Sequence, residues 1–350
     1  MQLPSGTIND SYQKDMAIVR TRLQWIMILA FLALLFVFPL FPFSNDYLIR
    51  VINNIVITII LIYGLNLLMG YAGQVSLGQG AFMAVGAYTT ALLGNKFGVP
   101  FWLALPASAL TAGLVGVIFG APSLRIKGVY LALATIAAQF IILWVVRYFS
   151  FFGGVTGVDS PPATIGSIVI NTQKSNYYLI IAMAIIMTFF AKNLARSRIG
   201  RAFVAIRDND LAAEVMGISI YKTKLTAFFI GCLFAGVAGA LWANLVGHVQ
   251  DEMFPLLNSI WYTGIIMIGG MGYTLGPIIG SFLLLGVQEL VTLYGPMLSA
   301  LPLVGGQGYA GFSQFLMALI IMVFIIMEPR GLSHRWQIFK TAYRLHPFSH

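Results

Sequence analysis

Residues 47–69 read YLIRVINNIVITIILIYGLNLLM, and residues 70–80 continue GYAGQVSLGQG. The first stretch carries a single charge, Arg50, near its start. A bilayer core takes about 20 apolar residues of helix, so this stretch reads as a membrane span. The second stretch sets four glycines and two glutamines directly behind it. Irregular backbone at membrane depth is tolerated only where it is buried in protein or lines a water-filled cavity. Gln74, Ser76 and Gln79 would be costly against lipid without hydrogen-bond partners. The segment therefore reads as the lining of a translocation path, formed by Gly73, Gln74, Ser76, Gly78 and Gln79. The alternative is a tight glycine turn packed between helices.

Further apolar runs lie on both sides, near 24–43, 80–94, 101–120, 128–149, 177–193, 225–246, 256–272, 276–295 and 312–328. The run at 80–94 is short and glycine-rich, which fits a broken or partial span. The reading is an all-α polytopic membrane protein with about ten transmembrane or partly embedded helices over 24–329. Polar segments 1–23 and 330–350 flank it. Composition agrees: 59% of the 350 residues are hydrophobic and 9% are charged, against about 25% charged in soluble domains. One core cannot hide that much apolar surface in water, because single-domain cores stop growing at about 250–300 residues. A soluble enzyme, a nucleic-acid module and a disulfide scaffold are excluded. Cys232 has no partner for an intrachain disulfide and reads as an inert buried thiol. The polar start and the long first apolar run do not fit a cleavable signal peptide, so that run is expected to stay as a span.

Cytoplasmic loops of membrane proteins are rich in Lys and Arg. With ten spans and an inside N-terminus, sixteen of the twenty basic residues fall on one side. Arg50, Lys96, Arg147 and Lys174 remain, while Asp46, Asp159, Asp251 and Glu252 fall outside. Both termini are thus expected in the cytoplasm, and the net charge of +9 reflects basic loops rather than nucleic-acid binding. Lipid supplies no hydrophobic drive between helices, so packing relies on small residues. Gly231, Ala235, Gly239 and Ala243 provide such a face; so do Ala112, Gly116 and Gly120, and Gly80 with Ala84.

The stretch Gly269–Pro277 echoes Gly70–Gly80, with Gly272 aligned to Gly73 and a Leu-Gly pair close behind in both. Glycine-interrupted spans in corresponding positions of two halves point to a transport site, which adds Gly272 and Thr274 to the candidate path. Ion-coupled carriers keep ionisable groups inside the membrane. Here Glu289 is the one clear example, near the outer end of its run, where it fits a tie to a polar neighbour; Arg147 sits at a helix end. No Gly-Lys pair occurs, so the chain lacks the phosphate-binding loop. Any ATP hydrolysis must come from another subunit. The four histidines, His248, His334, His346 and His350, show no metal spacing within a span, and no catalytic constellation is found.

The largest inside connection, 192–224, is polar and helical in pattern. Asp208, Asn209 and Asp210 can cap a helix start, Leu211–Met216 favour helix, and Gly217 suits the position after a helix end. So short a helix is marginal alone in water and must dock, with Leu211, Val215 and Met216 as apolar contacts.

Residues 205–218, AIRDNDLAAEVMGI, resemble the cytoplasmic coupling motif of ABC importer permeases. The form is similar to the LivM-type permease of branched-chain amino acid importers. Gly64–Phe82, Gly153-Gly154 with Gly157, Gly269–Pro277 and Glu328–Leu332 extend the resemblance over most of the chain, in the family's order. The resemblance implies a bacterial inner-membrane permease that moves branched-chain amino acids by alternating access. It implies a second homologous permease, two cytoplasmic ATPases that bind ATP and Mg, and an extracytoplasmic binding protein. It places ATPase coupling on Arg207, Asp208, Asp210, Ala212, Ala213, Glu214 and Gly217. A permease for urea or short amides is the nearest alternative cargo reading, and an ion-coupled carrier a more distant one.

Overall fold

The computed structural model describes residues 26, 30, 33–40, 45–123, 130–165, 168–298, 305–328 and 330–345. The segment 1–23, most of the run 24–43, Arg125, Lys127 and residues 346–350 lie outside them. The chain runs through helices α1 (Asp46–Leu65), α2 (Gln79–Phe97), α3 (Phe101–Ser123) and α4 (Tyr130–Tyr148). Strands β1 (Val158–Asp159), β2 (Ala163–Ile165) and β3 (Ile168–Ile170) follow. Next come α5 (Gln173–Arg196), α6 (Arg198–Asp208), α7 (Asp210–Val215) and α8 (Ile220–Val246). Strand β4 (His248–Val249) precedes α9 (Leu256–Gly269), α10 (Gly276–Leu298), α11 (Gly305–Met327) and α12 (Leu332–Leu345).

The protein is predominantly helical and multi-pass. Two small antiparallel sheets, β1 with β4 and β2 with β3, are added to the helices in the connections between them. The first pairs Val158 with Val249 and so ties the glycine loop at 153–157 to the end of α8. Among the described residues, six helices are long and apolar enough to cross a bilayer, or seven if the bent pair formed by α11 and α12 counts as one. Of the ten expected spans, α2 and α9 fall short by that measure, and the run 24–43 lies mostly outside the described residues. Helix α9 has 14 residues, about 21 Å at 1.5 Å per residue, short of a hydrocarbon core of about 30 Å. Helix α2 is an unbroken helix of 19 residues rather than a broken span. Its neighbours are protein on nearly every side, so small residues stand where a lipid-facing span needs bulky ones.

Helix α8 is the axis of the bundle and packs on α1, α2 and α3. The small-residue faces do the work expected of them. A Cβ at Gly64 would lie 2.5 Å from the Gly231 carbonyl, and one at Gly116 2.5 Å from Cys232 Sγ. A Cβ at Gly239 would collide with the Met83 carbonyl, and one at Gly86 with the backbone of Gly236. Backbones in direct contact gain dispersion energy that lipid cannot match. Cys232 is fully buried in this seam.

Candidate functional site: the coupling segment, the glycine loops and a polar cavity

Helix α6 is amphipathic and lays Phe203 and Ile206 into the bundle. It ends at Asn209, whose Oδ1 accepts from the amides of Leu211 (3.0 Å) and Ala212 (3.1 Å) and so starts α7. Of the three residues able to cap, Asn209 does so. Asp210 instead pairs with Lys224 Nζ at 2.7 Å, fastening α7 to the start of α8. Gly217 follows α7 with φ +83°, and the amide of Ile218 returns to the Ala213 carbonyl at 3.0 Å. Ala213 is 3% exposed and seats the helix on its own chain. Leu211, Val215 and Met216 are 65%, 87% and 82% exposed. The small helix is thus anchored on one side and presents an apolar crown on the other. Beside it, a groove of about 570 Å³ runs between α6 and α7, floored by Ala205 and Ala212 with Arg198 and Arg201 at its edge.

Arg207 links this segment to the membrane helices. Its Nη1 donates to the Gly70 carbonyl at 2.7 Å, while Nε and Nη2 hold Asp208 Oδ1 at 3.0 and 2.9 Å. A Cβ on Gly73, where φ is +67°, would reach 2.9 Å from Arg207 Cγ, and one on Gly272 would reach 3.2 Å from Nη1. A side chain at either position would crowd Arg207 between the two loops.

The two glycine loops that echo each other in sequence meet here. Helix α1 widens into a π turn over Asn66–Tyr71, a feature often found at functional positions. Asn66, 2% exposed, donates from Nδ2 to the Tyr273 carbonyl (3.0 Å) and accepts at Oδ1 from the Gly272 amide (2.8 Å). The Tyr63 hydroxyl donates to the Thr274 carbonyl at 2.9 Å. From below, Ser333 Oγ donates to the Gly269 carbonyl and Tyr273 shares a 2.9 Å bond with His334 Nδ1. Helix α6, both glycine loops and the start of α12 therefore form one connected cluster.

Gln74, Ser76 and Gln79 are buried, at 4%, 0% and 0% exposure. Gln79 Nε2 donates to the Gly231 carbonyl at 3.0 Å. Both amide atoms of Gln74, Ser76 Oγ and Gln79 Oε1 have no hydrogen-bond partner among the described residues. The start of α2 is capped from afar: the Gly80 amide donates to Ser259 Oγ and the Ala81 amide to Gln139 Oε1, both at 2.9 Å. Neither Ser259 nor Gln139 stands out in sequence, because each sits in a mostly apolar helix and its partner lies on another element.

A cavity of about 540 Å³ lies among α1, α9, α10 and α11. Its polar wall includes Asn54 and Thr58 from α1, Asn258 from α9, Gln288, Glu289 and Thr292 from α10, and Gln314 from α11. Trp261, Leu284 and Met317 form apolar wall. None of Gly73, Gln74, Ser76, Gly78, Gln79, Gly272 and Thr274 lines it. Polar side chains within spans turn toward a bundle interior or a water-filled cavity. The missed signal is the spacing of four between Asn54 and Thr58 and between Gln288 and Thr292, which sets each pair on one helix face. Glu289 accepts from the Tyr47 hydroxyl at 2.7 Å, the tie to a polar neighbour that its position suggests. Arg147 faces Asp251 at 3.7 Å and Glu252 at 3.9 Å. Among the described residues no group of His, Cys, Asp and Glu could hold a metal ion.

Residues 47–327 match the family model described as the branched-chain amino acid transport system permease component. The LivM high-affinity branched-chain amino acid permease of Escherichia coli K12 is 31% identical over 79% of this chain and 67% of its own length. A probable branched-chain amino acid permease, LivH, of Methanocaldococcus jannaschii is 23% identical over 79% of this chain and 88% of its own. A fructose import permease of Bifidobacterium longum, FruG, is 23% identical over 73% of this chain. No solved structure matches.

Proposed function

The chain belongs to the permease family of branched-chain amino acid transport systems, and on that premise we propose that it forms half of the membrane pathway of an ATP-binding-cassette importer for aliphatic, branched-chain amino acids. Its partners are a second related permease, two cytoplasmic ATPases that bind ATP and Mg, and an extracytoplasmic binding protein that selects the cargo. The setting is a bacterial inner membrane with both termini in the cytoplasm. Residues 24–329 are the permease domain and 192–224 its coupling segment.

The observation that carries this reading is α7: anchored through Asp210, Ala213 and Lys224, yet with Leu211, Val215 and Met216 turned outward. An apolar crown on so short a helix is costly in water and favours a protein partner. Glu214 and the groove between α6 and α7 offer the partner polar and apolar contacts. Arg207 would carry the partner's motion to Gly70 and, through Asn66, to the loop at Gly272. A state can be favoured only by a ligand that binds it better than the other; ATP on the partner and the loaded binding protein would supply that difference. The unpaired polar atoms of Gln74, Ser76 and Gln79 fit a loop that rearranges. Buried unpaired groups cost about 1–3 kcal/mol each, and exposure or new partners in the alternate state would relieve that cost.

The test is copurification with the ATPase. Charge reversal Glu214→Lys and Val215→Asp are expected to reduce ATPase recovered with the permease at least about tenfold while membrane insertion is normal. Full recovery in both variants would remove the docking role of α7. Competition of uptake by leucine against urea separates the cargo readings.

A further inference from the structure

We propose that Glu289 is the subsite of the 540 Å³ cavity that receives the ammonium group of the cargo. The inference rests on the importer reading and names the chemistry by which the permease itself holds an amino acid.

Among the described residues that line the cavity, Glu289 is the sole carboxylate and none is Lys, Arg or His. A carboxylate in a membrane span is expensive and marks a functional position by default. Tyr47 donates to Oε2, fixing the side chain and leaving Oε1 as an acceptor. A cavity with one anionic group and no basic side chain favours a ligand that brings its own positive charge. The remaining wall fits the rest of a zwitterion. The amides of Asn54, Asn258 and Gln314 can donate to a carboxylate, and Trp261 and Leu284 can meet an aliphatic side chain. The volume falls within the usual range of small-molecule sites, about 300–1,000 Å³. A sugar or urea brings no positive charge, so Glu289 separates amino acids from neutral cargo after the binding protein has released it.

A purely structural Glu289 would only tie α10 to α1 through Tyr47, and two substitutions separate these roles. Glu289→Gln keeps an oxygen for the Tyr47 hydroxyl and removes the charge. Tyr47→Phe removes the tie and keeps the charge. The probe is radiolabelled L-leucine bound to the permease–ATPase complex in nanodiscs without binding protein, with isoamylamine and isocaproate as competitors. Saturable leucine binding is expected, displaced by isoamylamine and not by isocaproate. Glu289→Gln should weaken it at least about tenfold, the loss of one hydrogen bond to a charged group, and Tyr47→Phe less than about threefold. Unchanged affinity in Glu289→Gln, an equal loss in Tyr47→Phe, displacement by isocaproate alone, or no saturable binding would each overturn the subsite. If the complete wild-type importer still takes up leucine, the importer reading survives that outcome. If it takes up no aliphatic amino acid, the importer reading itself fails.

Discussion

Asn66 binds two backbone groups of the Gly272–Tyr273 loop, more than two hundred residues away, from a π turn at the end of α1. Asn66→Ala would leave both unpaired, at about 1–3 kcal/mol for each buried group. The expected result is a clearly lower melting temperature in detergent, and ATP hydrolysis by the assembled importer that no longer drives uptake. Wild-type coupling in that variant would show that the bridge between the loops transmits nothing. Gly217 tests a smaller claim. Nothing lies within 4 Å of a Cβ there, so Gly217→Ala meets no clash and pays only for a φ of +83°. That cost is about 1–2 kcal/mol, and it should appear as weaker ATPase recovery. Residue roles were legible where chemistry is local. A helix cap within Asp208–Asp210 and the glycine at 217 follow from spacing alone; that Asn209 is the cap comes from the structure. Asn66, Gln139 and Ser259 were not, because their partners are set by how distant helices pack.

At the level of elements, α2 shows what the hydropathy of a run can and cannot say. Its glycines and alanines lower its apolarity, so it reads as a partial span. They are there because α8 lies against it backbone to backbone. Gly239→Ala puts a methyl into the Met83 carbonyl and is expected to abolish monodisperse protein on size exclusion. Gly286→Ala, in α10, meets open space at an ordinary helical φ. It should leave the melting temperature unchanged or raise it slightly, since alanine loses less backbone entropy than glycine. Equal behaviour of the two variants would contradict the packing described for α8. The stretch Asp208–Gly217 was read correctly as a short capped helix followed by a glycine. The exposure of Leu211, Val215 and Met216 beside a buried Ala213 needed the fold, because a six-residue helix has no periodicity from which to read its faces.

For the whole molecule, the scarcity of charge inside the spans argues for an external motor, and the family assignment points the same way. The sequence reading placed the path on the glycine loops. In the structure those loops form a tightly packed junction with Arg207, while the polar cavity lies elsewhere, walled by α1, α9, α10 and α11. Isolated polar residues on separate helices become a site only once the helices are assembled. The central claim is that an external ATPase drives amino acid movement through this bundle by way of α7. The most direct measurement is ATP-dependent uptake of radiolabelled leucine into proteoliposomes holding the complete importer, wild type against Val215→Asp. Accumulation by the wild type, and none by a variant that inserts normally, is the predicted result. Wild-type uptake by Val215→Asp, or leucine accumulation by the chain alone under an ion gradient, would contradict it.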